Sequence, residues 1–240
     1  MQLENNRETA SAAAPGHRPT ATVQRRYDLV LLDFDGTLAD SFPLFQTVME
    51  QACRRYRVVM PDAAMHERLR SMDTAQMLKA MGLRWWQVPG FVRHIRASMA
   101  PLAGQVRLFD GIAPVLQALH AHGVQLALVT SNRQDNAERI LGPELVALFA
   151  QMQCSVSLMG KRRALARVIA RSGVLKSRVL SVGDERRDAQ ATAALGGDFA
   201  GVAWGFSLPS ALQELTPLPV LNSPEGLLNL ILSLPNTAKP

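Results

Sequence analysis

Residues 27–37 read Tyr-Asp-Leu-Val-Leu-Leu-Asp-Phe-Asp-Gly-Thr, a short apolar run that ends abruptly in two acids, Asp33 and Asp35, and Gly36. A run of this length without polar alternation suits a strand buried on both faces, and the polar end suits a loop at its carboxyl edge. Working outward, Gly123–Thr130 (GVQLALVT) is a second such run, followed by Ser131 and Asn132. Arg178–Val182 is a third, followed by Gly183 and Asp184; Ala200–Trp204 is a fourth candidate and Cys154–Leu158 a fifth. Between these runs the apolar residues take helical spacing: Ile112, Val115, Leu116 and Leu119 form a stripe that stops near Gly123, and Ala164–Ala170 and Ala189–Leu195 read as further helices. Strands alternating with helices predict an α/β fold, a parallel sheet covered on both faces. Ligands collect beyond the carboxyl ends of the strands in such sheets. Asp33, Asp35, Thr130 and Asp184 all fall at those ends.

The stretch from Ser41 to about Arg107 breaks the alternation. Val48, Ala52 and Tyr56 keep helical spacing, and Met60-Pro61 and Pro89-Gly90 read as turns between helices. The expected organisation is therefore a disordered tail over 1–24, an α/β core from 25–40 and 107–234, and a helical insertion over 41–106, set above the strand ends. The chain carries a formal charge of +6 and a pI near 10.0, values that invite a nucleic-acid reading. Between Ser41 and Phe109, however, lie ten basic and four acidic residues, so the whole excess belongs to this one segment. It favours anionic substrates or solvated helix faces over a nucleic-acid partner. No apolar run approaches the ~20 residues needed to cross a bilayer. The two cysteines, Cys53 and Cys154, have no metal-ligand spacing and read as free thiols in a reducing compartment, the cytoplasm. Gly160-Lys161 is not a P-loop, since Ser155 and Arg162 replace the glycine and hydroxyl residue that motif needs.

Four acids, Asp33, Asp35, Asp184 and Asp188, thus converge at loop ends. Phosphoryl transfer asks for an in-line nucleophile, a proton donor and charge compensation. A carboxylate can supply the nucleophile, and Mg²⁺ prefers oxygen ligands, often carboxylates with substrate phosphate. The Asp33-Phe34-Asp35-Gly36-Thr37 segment resembles the first signature of the haloacid dehalogenase superfamily. Thr130 resembles the second, Lys161 the third, and Gly183-Asp184 with Asp188 the fourth. Leu38-Ala39-Asp40-Ser41 and Asp110-Gly111 are similar to the phosphoglycolate phosphatase-like branch.

That resemblance implies a Rossmann-like core with an α-helical cap inserted, and a Mg²⁺-dependent phosphatase acting on a small phosphorylated metabolite through an aspartyl-phosphate. It makes Asp33 the nucleophile and a metal ligand. Asp35 becomes the general acid and base, touching the metal through its backbone carbonyl. Thr130, the amides of Ser131 and Asn132, and Gly36 would meet the phosphoryl group, and Lys161 would neutralise charge. Asp184 and Asp188 complete the metal site. Arg162-Arg163 stand where many relatives place a proline. Arg186 and Arg187 are read as facing water, and Trp85-Trp86 as cap packing or substrate walls. A dehalogenase would need no Asp35, and a phosphonate-cleaving enzyme would need a reactive lysine where only Lys79 stands. A sugar-phosphate mutase or a non-catalytic phosphate-binding member shares the same core and remains open.

Overall fold

The computed structural model describes residues 24–157 and 159–233, so the expected disordered tail lies outside the described residues but for its last one. Strands β1 (Gln24–Arg25), β2 (Leu29–Leu32) and β3 (Ala39–Asp40) come first. Helices α1 (Phe42–Tyr56), α2 (Ala63–Arg70), α3 (Thr74–Ala80) and α4 (Val88–Met99) follow, closed by a 3-10 segment over Ala100–Gln105. The chain returns through β4 (Arg107–Leu108), α5 (Ile112–Ala121), β5 (Gln125–Val129), α6 (Gln134–Val146) and β6 (Phe149–Gln153). It then runs through α7 (Lys161–Ser172), β7 (Val179–Gly183), α8 (Arg186–Ala193) and β8 (Asp198–Gly201). Helices α9 (Pro209–Gln213) and α10 (Pro224–Ile231) lead to β9 (Leu232–Ser233), which pairs with β1.

The sheet has five parallel strands in the order β6-β5-β2-β7-β8. The chain winds outward from β2 to β6, then crosses back to β7 and β8 on the other side. That reversal makes the carboxyl ends of β2 and β7 the switch point where an open sheet leaves a crevice. Side chains alternate by strand geometry. Val30, Leu32, Leu126, Leu128, Leu180 and Val182 pack with Val115, Leu116 and Leu119 of α5 and Ile231 of α10. Leu29, Leu31, Ala127, Val129 and Val179 pack on the opposite face with Ala164, Leu165 and Val168 of α7. Helices cover both faces, which explains why the strands read as unbroken apolar runs.

Helices α1 to α4 carry a core of their own, built from Val48, Ala52, Cys53, Leu69, Met81, Phe91 and Ile95. Their starts are encoded locally: Asp62 accepts from the Met65 N–H at 2.7 Å, and Asp73 and Gln76 form a reciprocal cap at 2.8 and 3.0 Å. The insertion leaves through β3 and returns through β4, which pair antiparallel as Ala39 with Leu108 and Asp40 with Arg107. Among the described residues no helix is long and apolar enough to cross a membrane.

Three expectations are corrected. The fifth strand is Phe149–Gln153, ahead of Cys154–Leu158. Pro89-Gly90 does not separate helices; Pro89 sits in the first turn of α4, where its missing N–H costs no hydrogen bond. Trp85 and Trp86 neither wall a site nor pack in a core, being 81% and 56% exposed and stacked edge-on against each other at 5.7 Å.

Candidate active site

Asp33 follows β2 directly, and its N–H extends the ladder by donating to the Val182 carbonyl at 3.0 Å. The chain then turns sharply about Phe34, whose carbonyl accepts from the N–H groups of Thr37, Leu38 and Ala39 at 3.2, 2.8 and 2.9 Å. Gly36 takes φ 77° in this turn and lies so close to Asp184 that a Cβ would stand 2.2 Å from a carboxylate oxygen. Only glycine fits both the conformation and the space. The turn delivers Thr37 Oγ1 to Asp184 at 3.0 Å, while the Phe206 N–H donates to the other oxygen of the same carboxylate at 2.8 Å.

Lys161 opens α7, a position where the helix dipole disfavours a cation. Acceptors outweigh that penalty. Its Nζ donates to Asp33 Oδ1 at 2.7 Å and the Val129 carbonyl at 2.8 Å, and lies 3.0 Å from Asp188 Oδ1. Burial pulls the ammonium pKa down, but Asp188 and Asp33 outweigh it and the net direction is up. Asp188, in the first turn of α8, is raised to about 7, chiefly by burial and against the pull of Lys161. Asp184 is raised well above its ordinary value by burial, then by Glu185 and Asp33.

On the other side of the turn, Asp35 keeps part of its surface open to a cavity that it lines with Ser131 and Asn132. Asn132 Nδ2 donates to both Asp35 oxygens at 3.3 and 3.1 Å, and Asn136 steadies Asn132 from behind at 3.2 Å. Burial pushes Asp35 up to about 6, against hydrogen bonds from Ser41 and Asn132. Thr130 is fully buried, and its Oγ1 accepts from the Asn132 N–H at 2.9 Å. That amide is therefore engaged within the loop. The Thr130 hydroxyl proton is left to point elsewhere, and Asn132 meets Asp35 through its side chain.

Two arginines are corrected. Arg186 is anchored to the Ala211 carbonyl at 2.8 Å, and Arg187 is paired with Glu185 at 2.8 Å on the cavity wall. Both side chains are under one-fifth exposed, so neither faces water. Sequence reasoning also missed the Gly205–Leu208 loop. A Cβ on Gly205 would stand 2.1 Å from the Asp184 Cβ, and Phe206 holds Asp184 through its backbone. Backbone donors leave no signature in a side-chain reading. The glycine two residues before Ser207 was the one available signal.

Asp33, Asp184 and Asp188 bring a carboxylate oxygen each within 4.8 Å of one another, all buried. Asp188 Oδ2 is buried without a hydrogen-bond partner. Three hard oxygen donors and an orphaned acceptor fit a divalent cation of the Mg²⁺ kind. The Asp35 carboxylate stands outside this trio, on the cavity side.

The chain matches the family model described as haloacid dehalogenase-like hydrolase over residues 30–202. It is 29% identical to a phosphoglycolate phosphatase of Synechococcus elongatus, over 85% of this chain and 97% of that protein. It is 30% identical to the tyrosine-protein kinase PtkA of Mycobacterium tuberculosis, over 88% of this chain and 72% of that protein. In fold it is similar to a haloacid dehalogenase-like hydrolase from Streptococcus pneumoniae, with a TM-score of 0.67 and 20% identity, covering 85% of this chain and 97% of that one.

Proposed function

Because the chain belongs to the haloacid dehalogenase-like hydrolase family, we propose that it is a Mg²⁺-dependent phosphatase that hydrolyses a small phosphate monoester through a phosphorylated Asp33. The carrying observation is the division of labour across one turn. Asp33 lies within the carboxylate trio with Lys161 on it, and Asp35 lines the cavity beside Ser131 and Asn132. The Synechococcus relative's name supports a small phosphorylated metabolite as substrate.

Asp33 attacks phosphorus, and the bond from phosphorus to the ester oxygen breaks. Asp35, held by Asn132, gives its proton to the departing alkoxide. Asp35 then takes a proton from water, which attacks the phosphorylated Asp33, and inorganic phosphate leaves with the Asp33 carboxylate restored. Thr130, whose Oγ1 accepts from the Asn132 N–H, has the role of donating its hydroxyl proton to a phosphoryl oxygen. Ser131 and Gly36 line the cavity with Asp35. Lys161 lowers the repulsion between Asp33 and an incoming anion. Asp33, Asp184 and Asp188, with the Asp35 carbonyl, would hold Mg²⁺, which when bound supplies further neutralisation of the phosphoryl oxygens.

The insertion's basic residues support no nucleic-acid partner in this reading. Arg70 and Arg96 are turned to backbone carbonyls of the core, at 2.6 and 3.2 Å. The two cysteines are free, in keeping with a cytoplasmic enzyme.

The test is phosphate release from p-nitrophenyl phosphate. Asp33→Asn should cost about three orders of magnitude or more in kcat without changing the circular dichroism, since it removes the attacking group itself. EDTA should silence the wild type, and Mg²⁺ should restore it. Undiminished turnover in either case would sink the mechanism. Transfer to a hexose phosphate without release of inorganic phosphate would turn the assignment to a mutase.

A further inference from the structure

Resting on the phosphatase reading, we infer that the ester taken by this site carries an apolar alcohol, an aryl or short alkyl group, in place of a carboxylate- or polyol-bearing one. The cavity beside Asp35 has a volume of about 250 Å³. A cavity of about 150 Å³ is enough for benzene, so there is space for a ring beside a phosphoryl group. Its two ends differ in kind. Asp35, Ser131, Asn132, Asp184 and Arg187 make the core end polar. Opposite stand Phe42, Phe45 and Met49 of α1, Met77 of α3, and Phe91 and Ile95 of α4. Among the described residues, Arg96 is the one polar side chain that helices α1 to α4 bring to the wall.

At the helical wall Arg96 is turned away, donating to the Val156 carbonyl at 3.2 Å. Arg187, at the polar end, pairs with Glu185 at 2.8 Å and keeps a buried Nε without a partner, and Arg133 pairs with Asp135 at 3.0 Å on the exposed rim. A second carboxylate or a row of hydroxyls pushed into the helical wall would face rings and thioethers and lose its hydrogen bonds to water. A ring or an alkyl chain loses nothing there. Methionine adds a pliable, polarizable surface suited to aromatic groups.

The experiment compares kcat/KM of the Mg²⁺-loaded enzyme for methyl, ethyl, butyl and benzyl phosphate with that for phosphoglycolate and glucose 6-phosphate. The alkyl esters have similar leaving groups, so their slope reads the wall and little else. The expected result is a gain of about fourfold per added methylene, with benzyl phosphate about tenfold or more above phosphoglycolate. Phe45→Asn and, independently, Met77→Gln should each lower the butyl-to-methyl ratio by about tenfold, because both put an amide into the wall. A flat alkyl series with phosphoglycolate or glucose 6-phosphate ahead would overturn the inference and leave the phosphatase standing. Silence on every ester, p-nitrophenyl phosphate included, would overturn both.

Discussion

Lys161 shows how one residue can be misplaced by local rules and right for the site. It opposes its helix dipole, is buried, and has Asp33 at 2.7 Å and Asp188 at 3.0 Å. Removing one partner from a buried charge cluster costs about 3 to 5 kcal/mol, because the others stay behind uncompensated. Lys161→Met should therefore destabilise the protein by about 3 kcal/mol in EDTA by urea denaturation. Saturating Mg²⁺ should recover part of that loss, by taking over the neutralisation. An equal loss with and without the cation would separate Lys161 from the metal site. At this scale the sequence was most readable where a side chain follows an apolar strand, as the placement of Asp33, Asp35, Thr130 and Asp184 at the strand ends shows. It was silent at Gly205 and Phe206, which act by absence of a Cβ and by a backbone N–H. It misled at Arg186 and Arg187, since charge alone predicts exposure until the facing carbonyl and carboxylate are known.

Among elements, legibility followed burial. β2, β5 and β7 are buried along most of their length and read as apolar runs. β6, Phe149–Gln153, lies at the sheet edge, is only partly buried, and carries glutamines, so the apolar Cys154–Leu158 beside it drew the reading. Pro89-Gly90 at the start of α4 read as a turn between helices because a proline reads as a break, yet the first turn of a helix tolerates it. The opening of β2 and the start of β7 are tied by Asp28 and Arg178, whose Nη2 donates to Asp28 at 2.9 Å and to the Arg25 carbonyl at 2.9 Å. The Arg178 hydrogen bonds hold the Asp28 carboxyl below its ordinary 3.8. A depressed carboxylate stabilises the fold above its unfolded pKa and loses that contribution as pH falls through its folded one. Asp28→Asn should then lower Tm modestly near neutrality, the pair being partly exposed, and the gap from wild type should close in acid as the pH falls through the depressed pKa of Asp28. A gap that persists in acid would assign the effect to packing.

At the scale of the molecule, the helical insertion and the sheet meet on the loop that serves Asp184. Arg70 Nε donates to the Phe206 carbonyl at 2.6 Å, the Leu208 N–H donates to the Arg70 carbonyl at 3.0 Å, and the Phe206 N–H holds Asp184. Arg70→Ala should raise amide exchange in α1 to α4 by about tenfold or more while α5 and the central strands keep their protection, local opening being cheaper than global. Exchange rising equally everywhere would show that the two parts unfold as one. None of this coupling was visible in a charge count, which recorded Arg70 only as one of ten basic residues. The insertion's own attachment is narrower still. Its departing and returning strands, β3 and β4, are paired partners, which sets their backbones about 5 Å apart. A segment that leaves and rejoins a chain at neighbouring points can be lengthened, shortened or exchanged without disturbing the register of the sheet beneath. Descendants of one catalytic core could thus trade one roof for another, acquiring new diets while keeping the same teeth.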